Sequence, residues 1–546
     1  MSARPGNSAL FEQLAADGIT HMFGNPGTVE QGFLDLADGS PLTYVLALHE
    51  SVALAMADGY ARASQRPAVV QLHSGVGLGN GIGMLYQALR GGSPLVALVG
   101  EAGLAYDAMD AQMACDLVTM ARPVTKYATR VVDPASLLRV LRRAVKIAMT
   151  PPRGPVAVVL PADVMEQHTL ETALPTTVPA LPTRPGSEQI RQAAKLLTEG
   201  ERRLILIGDG VAASGAQAEL RAVAELLGAR VWGVNSSEVN FDTTHPLFAG
   251  NLPHMSGTDS ARAVAGADSV LIVGTYLFPE VFPHRTSPFQ QDVRSVHIDA
   301  DPYEIAKNFP VDLPLAADPR LTLKALADEL TRHTPDTAAA TTRPTPAAAA
   351  AAGAGAGSRA GAGAGGMMGR FAAELAAQAP GGLTVFDEAL TASPALTAQL
   401  PPRLPGTYFQ TRGGSLGVGI PGALGIKLAR PKDHVVGFSG DGGSMYTIQA
   451  LWTAARYGID AKFVICNNRR YKLLDLNIEE YWRARSIPRH AYPDAFDLSR
   501  PDIRFAELAG SLGVEGTRVE HPGQIEAAVT RMLTHDGPYL IDLITT

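Results

Sequence analysis

The sequence predicts three consecutive α/β domains, each built on a parallel sheet. Three observations lead there. Short runs of strand length, apolar on both faces, recur along the chain, as buried parallel strands require. Stretches with helical periodicity separate them. Two composition breaks then divide the series into three parts.

In the first part the runs are Tyr44–Leu48, Ala68–Leu72, Leu95–Val99 and Val156–Leu160. The second part has Leu204–Ile207, Val270–Val273 and Ser295–Ile298. The third has Leu383–Phe386, Val435–Phe438, Phe463–Ile465 and Tyr539–Asp542. A Pro- and Thr-rich stretch over residues 175–186 closes the first part. The sharper break, residues 338–366, is almost entirely Ala, Gly, Thr and Pro. It carries no large apolar side chain to offset the entropy of ordering, so it reads as a flexible linker. The expected boundaries are 1–175, 186–335, a linker at 336–366, and 367–546.

Composition excludes several functions. The 546 residues are 46% hydrophobic and 18% charged, with mean hydropathy +0.06, which is globular rather than disordered. A net charge of -7, from 46 basic and 53 acidic residues, gives no footprint for nucleic acid. Cys115 and Cys466 alone make neither a disulfide framework nor a metal cluster. With no apolar run of about 18 residues and no apolar signal core at the start, no membrane role is expected and the cytoplasm is the default.

Ligands of open parallel sheets sit beyond the carboxyl ends of the strands. In the third part, the strand ending at Phe438 runs into Ser439-Gly440-Asp441-Gly442-Gly443-Ser444. A helix is expected next, with Ile448, Leu451, Trp452 and Ala455 at helical spacing, and the following strand ends in Asn467-Asn468. The intervening residues 443–466 suit one βαβ unit, which sets Asp441 and Asn468 side by side. A carboxylate and an amide oxygen form part of a hard oxygen site for Mg²⁺. The neighbouring glycines admit a diphosphate to the backbone, and a helix N-terminus favours its charge. Each half alone also reads as a turn or a strand-end cap; the pair at this spacing points to a site.

The first part carries matching signals. Glu50 opens a helix with Ala53, Leu54 and Ala57 on its own face, where a carboxyl costs free energy unless partnered. The blander role is complementing the helix dipole. Upstream, Asn25-Pro26-Gly27-Thr28 forms a turn into a helix, and Thr28 with Gln31 fits a capping box. His73 follows a strand and opens the Gly-rich stretch Ser74–Asn80.

Gly440-Asp441-Gly442 followed by Asn467-Asn468 resembles the thiamine-diphosphate binding motif. Apart from the linker, the whole chain resembles the pyruvate-oxidase-type enzymes of that superfamily, with pyrimidine-binding, central and diphosphate-binding domains. The pattern is closest to benzoylformate decarboxylase-like 2-oxo acid decarboxylases. The resemblance implies thiamine diphosphate and Mg²⁺ as cofactors. The metal ligands would be Asp441, Asn468 and the backbone carbonyl of Arg470, with Gly440, Gly442, Gly443 and Ser444 at the diphosphate. Asn25, Pro26 and Gly27 would contact the cofactor from the first domain. In Gly413-Gly414-Ser415-Leu416-Gly417, the Gly414 carbonyl would accept from the 4′-amino group, and Leu416 would wedge under the cofactor.

The catalytic roles implied are Glu50, Thr28, His73 and His284. Glu50 would hydrogen-bond N1′ of the aminopyrimidine and promote the imino tautomer that takes the thiazolium C2 proton. Thr28 stands where these decarboxylases carry a serine that contacts the substrate carboxylate, and its extra methyl changes the pocket. His73 matches a proton-transferring histidine that acetolactate synthases typically lack at that turn. His284, in Phe282-Pro283-His284-Arg285, matches a second histidine from the central domain. Leu473, Leu474 and Asn477 occupy substrate-pocket positions. Leucine at 473 replaces a small residue and Asn477 an aromatic one, which argues against benzoylformate itself. Arg469, Arg470 and Lys472 read as a solvent-facing run, or as readers of a second substrate charge.

In the central part, Gly208-Asp209-Gly210 opens a dinucleotide-like loop, but Ala213 stands at the last glycine position, which argues against FAD. The implied activity is non-oxidative decarboxylation of a small 2-oxo acid to an aldehyde. Acetolactate synthase-like carboligation is the alternative. In this family the cofactor lies between domains of two subunits, so a homodimer is the implied minimum, and a homotetramer is compatible.

Overall fold

The computed structural model describes residues 3–180, 182–333, 366–379 and 381–545. Of the expected linker at 336–366, all but Gly366 lies outside them. The fold contains three six-stranded parallel sheets, as the apolar runs predict.

The first sheet comprises β1 (His21–Gly24), β2 (Thr43–Leu46), β3 (Ala68–His73), β4 (Leu95–Glu101), β5 (Tyr127–Arg130) and β6 (Val156–Pro161). Its spatial order is β2-β1-β3-β4-β6-β5, so the winding reverses beside β1. That reversal is where an open α/β sheet leaves a crevice for ligands. The second sheet has β7 (Arg203–Ile207), β8 (Arg230–Gly233), β9 (Phe248–Asn251), β10 (Ser269–Val273), β11 (Arg294–Asp299) and β12 (Leu313–Ala316). Its order, β9-β8-β7-β10-β11-β12, is that of dinucleotide-binding sheets. Five of the six strands of the third, β13 (Thr384–Glu388), β14 (Val435–Gly440), β15 (Ala461–Asn467), β16 (Glu515–Val519) and β17 (Tyr539–Ile544), run in the order β13-β14-β15-β17-β16.

Two expectations need correction. The strand expected over Tyr44–Leu48 stops at Leu46, because residues 47–49 turn into the next helix. The single helix expected after Asp441 is broken. One turn, Asp441–Ser444, is followed by turns and then by a helix over Ala450–Tyr457, so Ile448 precedes it.

The chain divides into two units, residues 1–179 with 364–399 and 411–546, and residues 180–363 with 400–410. The first unit holds four helices that matter for the site: α1 (Glu50–Ser64), α2 (Ser74–Gly91), α3 (Gly419–Ala429) and α4 (Lys472–Ala484). The sequence GIPGALGIKLA makes α3 apolar around most of its circumference, and Gly419 to Ile426 are all buried. It lies against α1 with backbone touching backbone. A Cβ at Gly59 would sit 2.2 Å from the Gly422 carbonyl oxygen, and one at Gly425 would sit 1.9 Å from that of Met56. Buried Asp58 pairs with Arg62 and accepts from Ser93 Oγ, and the Arg62 guanidinium lies over the Phe386 ring at 5.9 Å. Arg430 donates to the Ala63 carbonyl through Nε and Nη2 (3.0 and 2.7 Å).

Alanine is the better helix former, so Gly425→Ala would stabilise an isolated α3 by about 1 kcal/mol. In the protein the backbone clash outweighs this, and the substitution lowers stability by about 1–3 kcal/mol. The urea midpoint measures it; an unchanged or raised midpoint would show that the two helices separate freely.

Candidate active site

At the reversal beside β1, the ends of β1 and β3 and the start of α1 bring four predicted residues together. Glu50 is 4% exposed, and its two oxygens accept from Asn25 Nδ2 (3.2 Å) and Asn80 Nδ2 (3.0 Å). The apolar-face carboxyl therefore has its partners, both neutral amides. Gly77 leaves room for it, since a Cβ there would lie 2.9 Å from Glu50 Oε1. Gly27 faces His73 so closely that a Cβ would meet Nδ1 at 2.1 Å, so only glycine fits while the ring stays in place.

Glu30 was missed by the sequence reading. Its carboxylate lies 2.9 Å from His73 Nδ1 and accepts from the Gly27 N–H at 3.0 Å. Glu30 is 4% exposed, and burial raises its pKa above the ordinary carboxylate value, while His73 and the Gly27 N–H pull it back. Gly100 on β4 makes the space, because a Cβ there would overlap Glu30 Oε1. The sequence signal was a carboxylate in the same turn as Asn25 and Gly27, read only as the lead into a helix. The capping box predicted for Thr28 and Gln31 does not form. The helix starts at Gln31 with Glu30 at its N-cap position, and Glu30 rather than Thr28 ties the turn, leaving Thr28 exposed. Pro26 is exposed on the same turn.

The second cluster lies on the third sheet, where β14 and β15 pair in register up to Gly440 and Cys466. Asp441 accepts from the N–H groups of Gly442 (2.9 Å) and Arg470 (3.1 Å). Burial raises its pKa, and the backbone N–H groups of Gly442, Arg470, Arg469 and Asn468 oppose the rise. The loop after β15 thus wraps around this carboxylate, with Arg469 at φ 58°. Its two asparagines differ. Asn467 is committed to structure, donating to Asp542 Oδ1 (2.9 Å) and accepting from the Arg469 N–H (3.2 Å). The Oδ1 of Asn468 is buried with no hydrogen-bond partner. A buried acceptor without a donor is costly, and a hard cation would satisfy it.

The residues present therefore fit Mg²⁺, with Asp441 and Asn468 as side-chain ligands. The Arg470 carbonyl already accepts from the Lys472 N–H at 2.8 Å and keeps one lone pair. Gly440 has open space on its Cα, Ser444 donates to the Asp441 carbonyl (2.8 Å), and Gly442 is closed over by the Tyr471 ring. Gly414 is exposed at φ 82°, and Leu416 beside it is half-buried.

On α4, Leu473 and Asn477 share a face by their spacing of four, while Leu474 is turned further outward at 39% exposed. The basic run that leads into it is ion-paired, with Lys472 still exposed. Arg470 Nε and Lys472 Nζ both reach the buried carboxylate of Asp475 (2.7 and 3.3 Å), and Arg469 lies 3.1 Å from Asp502. Asp475, three residues after Lys472, and the more distant Asp502 supply the partners.

In the second unit, His284 is half-buried, with Nδ1 3.0 Å from both the carbonyl oxygen and the hydroxyl of Thr286. The Asp209 carboxylate turns back onto its own sheet edge, accepting from the N–H of Ser237 (2.9 Å) and from Asn240 Nδ2 (2.9 Å). Gly210 N donates to the Gly274 carbonyl at 2.9 Å, so the loops after β7 and β10 meet backbone to backbone.

Three family models match the chain in order: the N-terminal TPP binding domain of thiamine pyrophosphate enzymes over residues 4–120, their central domain over 190–326, and their C-terminal TPP binding domain over 391–543. Benzoylformate decarboxylase of Pseudomonas aeruginosa is 33% identical over 99% of this chain and 98% of its own length. A probable acetolactate synthase large subunit of Methanocaldococcus jannaschii is 29% identical, covering 99% and 91%. The solved thiamine diphosphate-dependent 4-hydroxybenzoylformate decarboxylase of Rhodococcus jostii RHA1 superposes with TM-score 0.86 at 28% identity, over 100% of this chain and 99% of that one. The chain belongs to the thiamine pyrophosphate enzyme family. Among the described residues no helix is long and apolar enough to cross a membrane.

Replacing Asn468 with alanine removes the unpartnered oxygen. The Mg²⁺ concentration needed for half-maximal cofactor binding, followed by tryptophan fluorescence, then rises by about tenfold or more. An unchanged Mg²⁺ requirement would remove Asn468 from the metal site.

Proposed function

We propose that this chain is a thiamine diphosphate- and Mg²⁺-dependent decarboxylase that converts a small 2-oxo acid to the aldehyde. The observation that carries the reading is the pair His73–Glu30, set on the same sheet reversal as Glu50. An enzyme that releases CO₂ and an aldehyde must place a proton on the carbon that lost CO₂, and this pair is suited to supply one.

When bound, the thiazolium supplies the electron sink for loss of CO₂. Glu50 holds a proton at the aminopyrimidine. Glu30 engages His73 at Nδ1, which fixes the ring and leaves Nε2 to move a proton to or from the substrate carbon. His284 serves a second proton transfer, and Thr28 orients the substrate carboxylate through its hydroxyl. Asp441 and Asn468 hold Mg²⁺ against the diphosphate, with the Arg470 carbonyl as third ligand. Leu416 and the Gly414 carbonyl seat the rings. Leu473, Leu474 and Asn477 line the pocket, and Leu473 with Asn477 favours a substrate other than benzoylformate. The closed loops after β7 and β10 support the reading against FAD. The cofactor is shared between two copies of the chain, in the cytoplasm.

Carboligation is the second reading, supported by the likeness to acetolactate synthases at 28–30% identity. A panel of 2-oxo acids, assayed with thiamine diphosphate and Mg²⁺ for CO₂ and for products, separates the two. The expected outcome is CO₂ with a matching amount of the one-carbon-shorter aldehyde. Hydroxyketone as the main product would make the protein a carboligase, and absence of CO₂ from every acid, despite bound cofactor, would end the decarboxylase reading.

A further inference from the structure

Glu388, the last residue of β13, is 1% exposed and takes no part in the chemistry above. Its carboxylate reaches the loop at Gly417 and, through Ser439 near the end of the neighbouring strand β14, the base of the loop that follows that strand. One oxygen accepts from the N–H of Gly417, and the other from the N–H of Gly419 (2.6 Å) and the hydroxyl of Ser439 (3.2 Å). All three donors are uncharged. Burial pushes the carboxyl up to about 7, and the backbone donors pull against that rise. Two glycines crowd against it: a Cβ at Gly419 would lie 2.6 Å from the Phe438 carbonyl oxygen and 2.9 Å from Oε2, and one at Gly443 would lie 3.3 Å from Oε1.

The two loops have distinct duties. Gly417 closes the loop that carries Gly414 and Leu416. Ser439 to Gly443 opens the metal and diphosphate end. We propose that Glu388 is a positioning residue that sets the spacing between these two loops, so that the ring end and the diphosphate end of one cofactor molecule are held together. The proposal rests on the cofactor assignments above, though not on the reaction catalysed. A fully buried carboxylate without a cation is an expensive way to pin a sheet edge. Two loops that must keep one separation provide the reason for it.

Glu388→Gln is the sharpest change, because the amide keeps the shape but offers one acceptor oxygen and turns an NH₂ group toward backbone N–H donors. Calorimetric titration of thiamine diphosphate onto the full-length apoprotein at saturating Mg²⁺ gives the readout, with thermal melting of each apoprotein alongside. Affinity is expected to fall by about tenfold or more, in line with losing hydrogen bonds to a charged group. Ser439→Ala, which removes one donor, weakens binding by a smaller factor, and the double variant is less than additive. Should E388Q fail to fold, S439A decides alone. Affinity within about twofold of wild type in the folded variant, even with a lowered melting point, would reduce Glu388 to a structural residue and overturn the proposal. A wild-type chain that binds cofactor but decarboxylates nothing removes the decarboxylase reading, and the affinity ratio still decides the role of Glu388. A wild-type chain that binds no cofactor overturns both.

Discussion

A carboxylate taken out of water must be given donors, and that requirement shapes the two sheets that carry the chemistry. Glu50 receives two amide groups, Asp441 receives backbone N–H groups of the loop after β15, and Glu388 receives two N–H groups and a hydroxyl. Glu30 receives His73. Among the described residues, none of these four carboxylates rests on an arginine or lysine, whereas the carboxylate of Asp475 is clasped by Arg470 and Lys472.

The glycines belong to the same design. Gly27, Gly77 and Gly100 stand against His73, Glu50 and Glu30, each at a distance where a Cβ would displace the polar group. Elsewhere glycine serves packing. At Gly59 and Gly425 it lets α1 and α3 touch along their backbones, which anchors the helix that starts with Glu50 to the helix that follows Leu416. A shift in that contact would move both ends of the machinery.

Much of this was legible in the residues. Long apolar strands announce buried parallel sheets, and Asp441 with Asn468 announces itself because chain spacing alone brings two strand ends together. The strands β1, β5, β8, β9, β12 and β16 escaped notice, since they are only four or five residues long and most mix polar with apolar residues. Glu30 escaped for another reason. Its significance lies in what faces it across the fold, at His73, and local pattern carries no trace of that, whereas Asp475, three residues after Lys472, was a local partner left unread. Thr28 shows the converse error: a capping box satisfied on paper loses to a neighbouring carboxylate with a better reach. The two asparagines at 467 and 468 are equal in sequence, and only the donor to Asp542 separates the structural one from the one with a free oxygen.

The account turns on Glu50 being chemically active rather than a helix-start residue. Measuring turnover and cofactor affinity side by side on Glu50→Gln tests this most directly, because the amide preserves size and burial while removing the ionisable group. The account predicts cofactor binding within a few-fold of wild type and turnover reduced by at least about a hundredfold, the scale of a lost acid–base group. Near-normal turnover in that variant would contradict it.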